Sequence, residues 1–104
     1  MRHLRPAELR AYLEHTQPLL LDVREPWEFH ICHIAGSQLV PMREIAQQLP
    51  TFDPNQEIVI ICHRGIRSRR VGYFLESAGF TRIINLAGGL AAWAEEVDLT
   101  MSTY

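Results

Sequence analysis

The chain has 104 residues, 47% of them hydrophobic, a formal net charge of -2 and a pI near 6.2. That fits one globular domain over residues 1–104, with a core of its own and no room for a second. The balanced charge argues against nucleic acid or an anionic membrane as main partner, and no apolar run approaches the length of a membrane span.

The two cysteines are too few for a disulfide scaffold. Met1 to Arg10 holds three arginines and no apolar core, so no signal peptide is expected. A cytoplasmic domain with reduced thiols is the expectation.

Arg2 to Leu4 is a candidate edge strand. Pro6 suits the first turn of a helix, where its missing N–H costs nothing, and Leu9, Tyr12 and Leu13 line one face. That helix ends in His15 to Pro18. Leu19 to Val23 reads as a buried strand ending in charge. Pro26 starts one or two helical turns. Ile34 to Ser37 is a turn before a short strand, Gln38 to Val40. Arg43 to Leu49 is a short helix with Ile45, Ala46 and Leu49 inward. Asp, Pro and Asn make Thr51 to Asn55 a loop.

Ile58-Val59-Ile60-Ile61 is four β-branched residues in a row, the composition of a strand buried on both faces. It runs into Cys62 and a short polar loop. A helical pattern follows to about Ala78, with Val71, Phe74, Leu75 and Ala78 on one face. Gly79 is a C-terminal stop. Arg82 to Asn85 is the last strand, Gly88 and Gly89 introduce a helix over Leu90 to Ala94, and Trp93 anchors it. Glu95 to Tyr104 is a polar tail with little pattern. Alternating apolar strands and helices define an α/β fold, a mostly parallel sheet with helices on both faces. Such sheets place their sites beyond the carboxyl ends of the strands. Cys62 lies at one such end and Asp22 at another.

A cysteine between a strand and a helix sits where free backbone N–H groups and the helix dipole attract anions. Arg64, Arg67, Arg69 and Arg70 add positive charge. A thiolate is an anion, so this setting favours the ionised nucleophile. Gly65 lets the loop turn back on itself. The plainer reading, a small buried core residue, fits poorly with His, Arg and Gly immediately after it.

Three separated stretches resemble one family. Leu20-Leu21-Asp22-Val23-Arg24-Glu25-Pro26-Trp27-Glu28-Phe29 with His33-Ile34-Ala35-Gly36-Ser37 is similar to the first signature of the rhodanese-like sulfurtransferases. Gly79-Phe80 through Asn85-Leu86-Ala87-Gly88-Gly89-Leu90-Ala91-Ala92-Trp93 is similar to the closing signature. Cys62-His63-Arg64-Gly65-Ile66-Arg67-Ser68 matches the active loop between them. The resemblance implies a five-stranded, mainly parallel sheet and transfer of sulfane sulfur through a persulfide on Cys62. It makes His63, Arg64, Gly65, Ile66, Arg67 and Ser68 the persulfide-binding loop, their backbone N–H groups holding the charge.

A small sulfur-containing anion such as thiosulfate would be the donor, and a thiol, cyanide or a protein the acceptor, with no cofactor. Cysteine-dependent phosphatases place the arginine six positions after the cysteine. Here it is Arg67, at the fifth, so the loop favours sulfur over phosphate or arsenate. A non-catalytic binding module or a sulfur carrier is the alternative from another class.

Asp22 and Arg24 are expected to be structural, Asp22 bracing the active loop and Arg24 pairing with a carboxylate such as Glu28, because buried charges need partners. Cys32 beside His30 and His33 lacks paired ligand spacing, so no metal is expected and Cys32 reads as a passive thiol. Trp27 and Trp93 read as core anchors, and His33 as part of its turn.

Overall fold

The structure is a computed structural model that describes residues 1–104. Five strands form one sheet: β1 (Arg2–Leu4), β2 (Leu19–Asp22), β3 (Gln38–Leu39), β4 (Ile58–Ile61) and β5 (Ile83–Leu86). Their order is β1-β5-β4-β2-β3, and every pairing is parallel. Five α-helices accompany them: α1 (Pro6–Leu13), α2 (Pro26–Ile31), α3 (Ile45–Gln48), α4 (Ile66–Ser77) and α5 (Gly89–Glu96). Short 3-10 turns, Met42–Glu44 and Leu49–Thr51, flank α3. No helix is long and apolar enough to cross a membrane.

The central strand β4 is buried on both faces, as its composition requires. Ile58 and Ile60 join Leu21, Ile45, Val71 and Leu75 in the core under α3 and α4. Val59 and Ile61 face the other way, to Leu9, Ile84, Leu86, Leu90 and Trp93 under α1 and α5. Adjacent residues on one strand thus feed two cores, which is the period-two geometry of a strand. Helix α4 ends where Gly79, at φ +99°, takes the left-handed conformation. The Phe80 N–H then donates to the Leu75 carbonyl at 3.0 Å and the Gly79 N–H to that of Glu76 at 3.1 Å, a Schellman closure.

Three inward expectations are corrected. The buried face of α4 is Ser68, Val71, Gly72 and Leu75, while Phe74 and Ala78 are exposed. Hydrophobicity alone turns the stripe by one position, because two of its true members are a polar residue and a glycine. Ser68 is drawn inward by hydrogen bonds, and Gly72 leaves room for the Met1 side chain, which a Cβ would meet at 2.3 Å. Ala46 is also exposed, and with Met42, Ile45 and Phe74 it lines a shallow apolar groove. Trp27, expected in the core, is 59% exposed and stands edge-on to Tyr104.

Candidate active site

Cys62 follows β4 directly, and residues 63–65 turn the chain into α4. Gly65 precedes the helix at φ +92°, a conformation that only glycine adopts freely. The turn brings the helix N-terminus onto the sulfur. Cys62 Sγ accepts the Gly65 N–H at 3.0 Å and the Ser68 N–H at 3.4 Å. Ser68 is the third residue of α4, so the sulfur stands where an N-cap oxygen would normally accept. The Ser68 hydroxyl lies 3.2 Å from Sγ. Of the amides from His63 to Ser68, these two hydrogen-bond to the sulfur. Cys62 is only 1% exposed. It is enclosed, yet polar donors rather than a purely apolar wall meet it.

The loop is held from behind by α5. The Leu90 and Ala91 N–H groups donate to the carbonyls of Cys62 and His63, each at 2.9 Å. This close approach explains Gly89. A Cβ on Gly89, itself at φ +61°, would lie 2.4 Å from the His63 carbonyl carbon and oxygen.

Two ion pairs sit beside the loop, one fully buried and one partly so. Arg24 is fully buried, and its Nε and Nη2 grip the Asp22 carboxylate at 2.7 to 3.1 Å. Its remaining donors reach the Cys32 carbonyl at 2.6 Å, the Glu28 carbonyl at 3.3 Å and the Tyr104 hydroxyl at 3.0 Å. Arg67 forms a two-pronged pair with the Glu28 carboxylate at 2.6 and 2.8 Å.

The expected Arg24–Glu28 side-chain pair is therefore corrected. Arg24 takes the carboxylate two residues before it, and Glu28 is left for the loop arginine. The direct brace on the loop is Glu28, while the Asp22 carboxylate is committed to Arg24. Arg67 donates to Glu28 rather than standing free for a substrate.

Tyr104 completes the cluster. Its hydroxyl donates to Glu28 at 2.7 Å, accepts from Arg24, and its ring stacks on His63 at 4.3 Å. Burial and the neighbouring Glu28 push the phenol up to about 12. Burial and the nearby Arg64 lower His63 from the usual imidazole value, so its ring favours the neutral form. A cleft of about 190 Å³ opens on this outer side of the loop, walled by Cys32, His63, Arg64, Glu95 and Tyr104. Arg64 and Ile66 are exposed. Cys32 is half-buried, its Sγ 3.9 Å from Arg24 Nη1. No three His, Cys, Asp or Glu side chains lie together as a metal site.

Hydrogen bonding from Arg67 holds the Glu28 carboxyl at about 2, against the burial that would raise it. An acid held below its unfolded value near 4.3 contributes stability in full above that value, and the contribution is lost as pH falls through about 2. Denaturant unfolding from pH 5 to pH 2 is expected to show the native protein losing about 2 kcal/mol that Glu28→Gln does not lose. Parallel pH profiles for the two proteins would contradict the ion pair.

An all-parallel sheet with a cysteine cradled at the head of a helix defines an α/β domain that holds one thiol against a helix N-terminus. The sequence model of the rhodanese-like domain matches residues 5–96, and the chain belongs to that family. It is 36% identical over 102 residues to the probable adenylyltransferase/sulfurtransferase MoeZ of Mycobacterium tuberculosis, covering 95% of this chain and 26% of that protein.

It is 34% identical over 79 residues to the putative sulfur carrier protein YrkF of Bacillus subtilis, covering 76% of this chain and 43% of that one. The chain thus spans less than half the length of either relative. The thiosulfate sulfurtransferase GlpE of Pseudoalteromonas translucida is 27% identical, with 88% of each chain covered. The structure superposes on a rhodanese-like domain protein from Staphylococcus aureus with a TM-score of 0.84, at 33% identity and covering 93% and 95% of the two chains.

Proposed function

We propose that this domain moves sulfane sulfur from an anionic donor such as thiosulfate to a thiophilic acceptor through a persulfide on Cys62. The observation that carries this reading is the sulfur seated as the acceptor of two amides at the start of α4. That cradle suits a negative charge on sulfur at every stage. The Cys62 thiolate attacks the outer sulfur of thiosulfate, the donor S–S bond breaks, and sulfite leaves with the bonding pair. The persulfide keeps its charge within the cradle. Cyanide, a thiol or a protein acceptor then attacks the terminal sulfur, and the Cys62 thiolate is the leaving group.

His63 to Ser68 form the binding loop, Arg67 shapes it through Glu28, and exposed Arg64 draws the anionic donor. Asp22 and Arg24 support the loop indirectly, through α2 and Tyr104. The domain works in the cytoplasm and needs no metal or cofactor.

The enclosure of Cys62 favours a second form of the same chemistry, a carrier whose loop opens to one dedicated protein. Steady-state transfer from thiosulfate to cyanide tests the choice. Ping-pong kinetics, with parallel double-reciprocal lines, are the expected result. Hydrolysis of an aryl phosphate with no sulfur transfer would replace the proposal with a phosphatase. Persulfide formation without turnover would leave the carrier, and neither signal would leave a binding module.

A further inference from the structure

A chain of polar side chains leads from the Cys62 sulfur away from the cleft to the edge of the sheet. Sγ lies 3.2 Å from Ser68 Oγ. Ser68 Oγ lies 2.5 Å from Asn85 Oδ1, and Asn85 Nδ2 lies 3.1 Å from His3 Nδ1. Ser68 and Asn85 are buried, while His3 is exposed on the edge strand β1, paired in register with Asn85. The sulfur-transfer steps make no use of Asn85 or His3.

Such a chain has a direction, because a hydroxyl has one proton and an amide has distinct ends. With His3 Nδ1 unprotonated, Asn85 donates to it. The amide oxygen then takes the Ser68 proton, and Ser68 offers the sulfur a lone pair, which suits a thiol S–H. A proton on His3 Nδ1 reverses the sequence. The amide turns over so that its oxygen accepts from His3, and its NH₂ donates to Ser68. The Ser68 proton is then free to point at the sulfur, which suits a thiolate.

We propose that His3 is a positioning residue for Cys62: through Asn85 and Ser68 it sets whether the Ser68 hydroxyl accepts from the thiol or donates to the thiolate. No proton travels along the chain. Each link keeps its own and only turns, and the thiol proton exchanges with water. The proposal rests on the reading of Cys62 as the reacting thiol.

Most charged groups of β1 and of the elements beside it have partners of their own, and the others are exposed. On its own strand side, Arg2 lies over the Tyr12 ring at 5.3 Å and Arg5 pairs with Glu96. The Met1 ammonium holds Glu76 of α4 at 2.7 Å. From α1, Glu8 accepts the Arg5 N–H at 2.8 Å, and Arg10 is exposed. Strand β5 brings only the neutral Asn85 among apolar neighbours. In α4, Arg67 is paired with Glu28, and Arg69 and Arg70 are exposed.

The test is the rate at which iodoacetamide alkylates Cys62, read by peptide mass in a Cys32→Ser background. The pH runs from about 5 to about 8, the range in which imidazoles exchange their proton. The native His3 is expected to react about fivefold faster than His3→Phe at the acid end, the worth of one hydrogen bond. At the alkaline end the advantage should vanish or invert. His3→Gln, which does not titrate, should show no such crossover. In a Ser68→Ala background, His3→Phe should have no effect at any pH, because the link is cut.

A ratio that stays constant with pH, or an undiminished effect of His3→Phe in the Ser68→Ala background, would overturn the proposal and leave the reactive thiol intact. A Cys62 unreactive in every variant would instead overturn the reactive-thiol reading, and the proposal with it.

Discussion

Cys62→Ser is expected to lower sulfur transfer by at least about a thousandfold, the scale on which loss of a nucleophile acts. The expectation is chemical rather than structural. A serine oxygen can still accept the Gly65 and Ser68 amides, which donate to Sγ at 3.0 and 3.4 Å. The loop should therefore keep its shape, and unfolding by urea should shift little. What oxygen cannot do is take up and release sulfane sulfur as a thiolate does.

Cys32→Ser is the matched control. The Cys32 sulfur lies outside the loop, with one long contact to Arg24 at 3.9 Å. Transfer should persist within about twofold, since surface and half-exposed changes rarely exceed small effects. Substantial turnover in Cys62→Ser, or its loss in Cys32→Ser, would move the chemistry to another residue.

Gly89→Ala should be the most damaging change outside the cysteine. The added Cβ would meet the His63 carbonyl carbon and oxygen at 2.4 Å and the Cys62 carbonyl oxygen at 2.5 Å. All three are backbone atoms, which cannot swing aside. The left-handed backbone at φ +61° adds its own cost for any other residue. Together these should destabilise the domain by about 3 kcal/mol. Relief requires moving α5 away from the loop, which breaks the Leu90 and Ala91 hydrogen bonds to the Cys62 and His63 carbonyls. A displaced cradle should reduce transfer by about a hundredfold even in the folded fraction. Denaturant midpoints and initial rates measure the two effects separately. An unchanged midpoint would mean that the contact is not tight in solution.

Much of this was legible in the chain because it is local. The run Ile58 to Ile61 declares a doubly buried strand, and Cys62 to Ser68 declares a tight turn into a helix. Gly79 marks its stop by the same local logic. The rest depends on which residues meet across the fold. The Glu28 carboxylate pairs with Arg67, 39 positions away, while Arg24, four positions away, reaches only the Glu28 carbonyl. Nothing in the spacing distinguishes those partners, since Arg24 is closer in sequence and equally charged.

Tyr104 is the clearest omission. It ends a polar stretch without periodicity, yet its hydroxyl reaches Glu28 across 76 positions. No signal in the chain could have found it, because its role comes entirely from where the tail lies. Asn85 had a faint signal: a polar residue ending an apolar strand needs a partner. The misplaced face of α4 teaches a related point. Ser68 and Gly72 are inward for reasons of hydrogen bonding and close packing that hydropathy does not register.

The most direct measurement is the intact mass of the protein after incubation with thiosulfate and removal of excess donor, followed by peptide mapping. The account predicts a gain of about 32 Da, one sulfur atom, located on the peptide that carries Cys62 and removed again by cyanide. An unchanged mass with thiosulfate and with polysulfide alike, or a gain carried by Cys32, would contradict it.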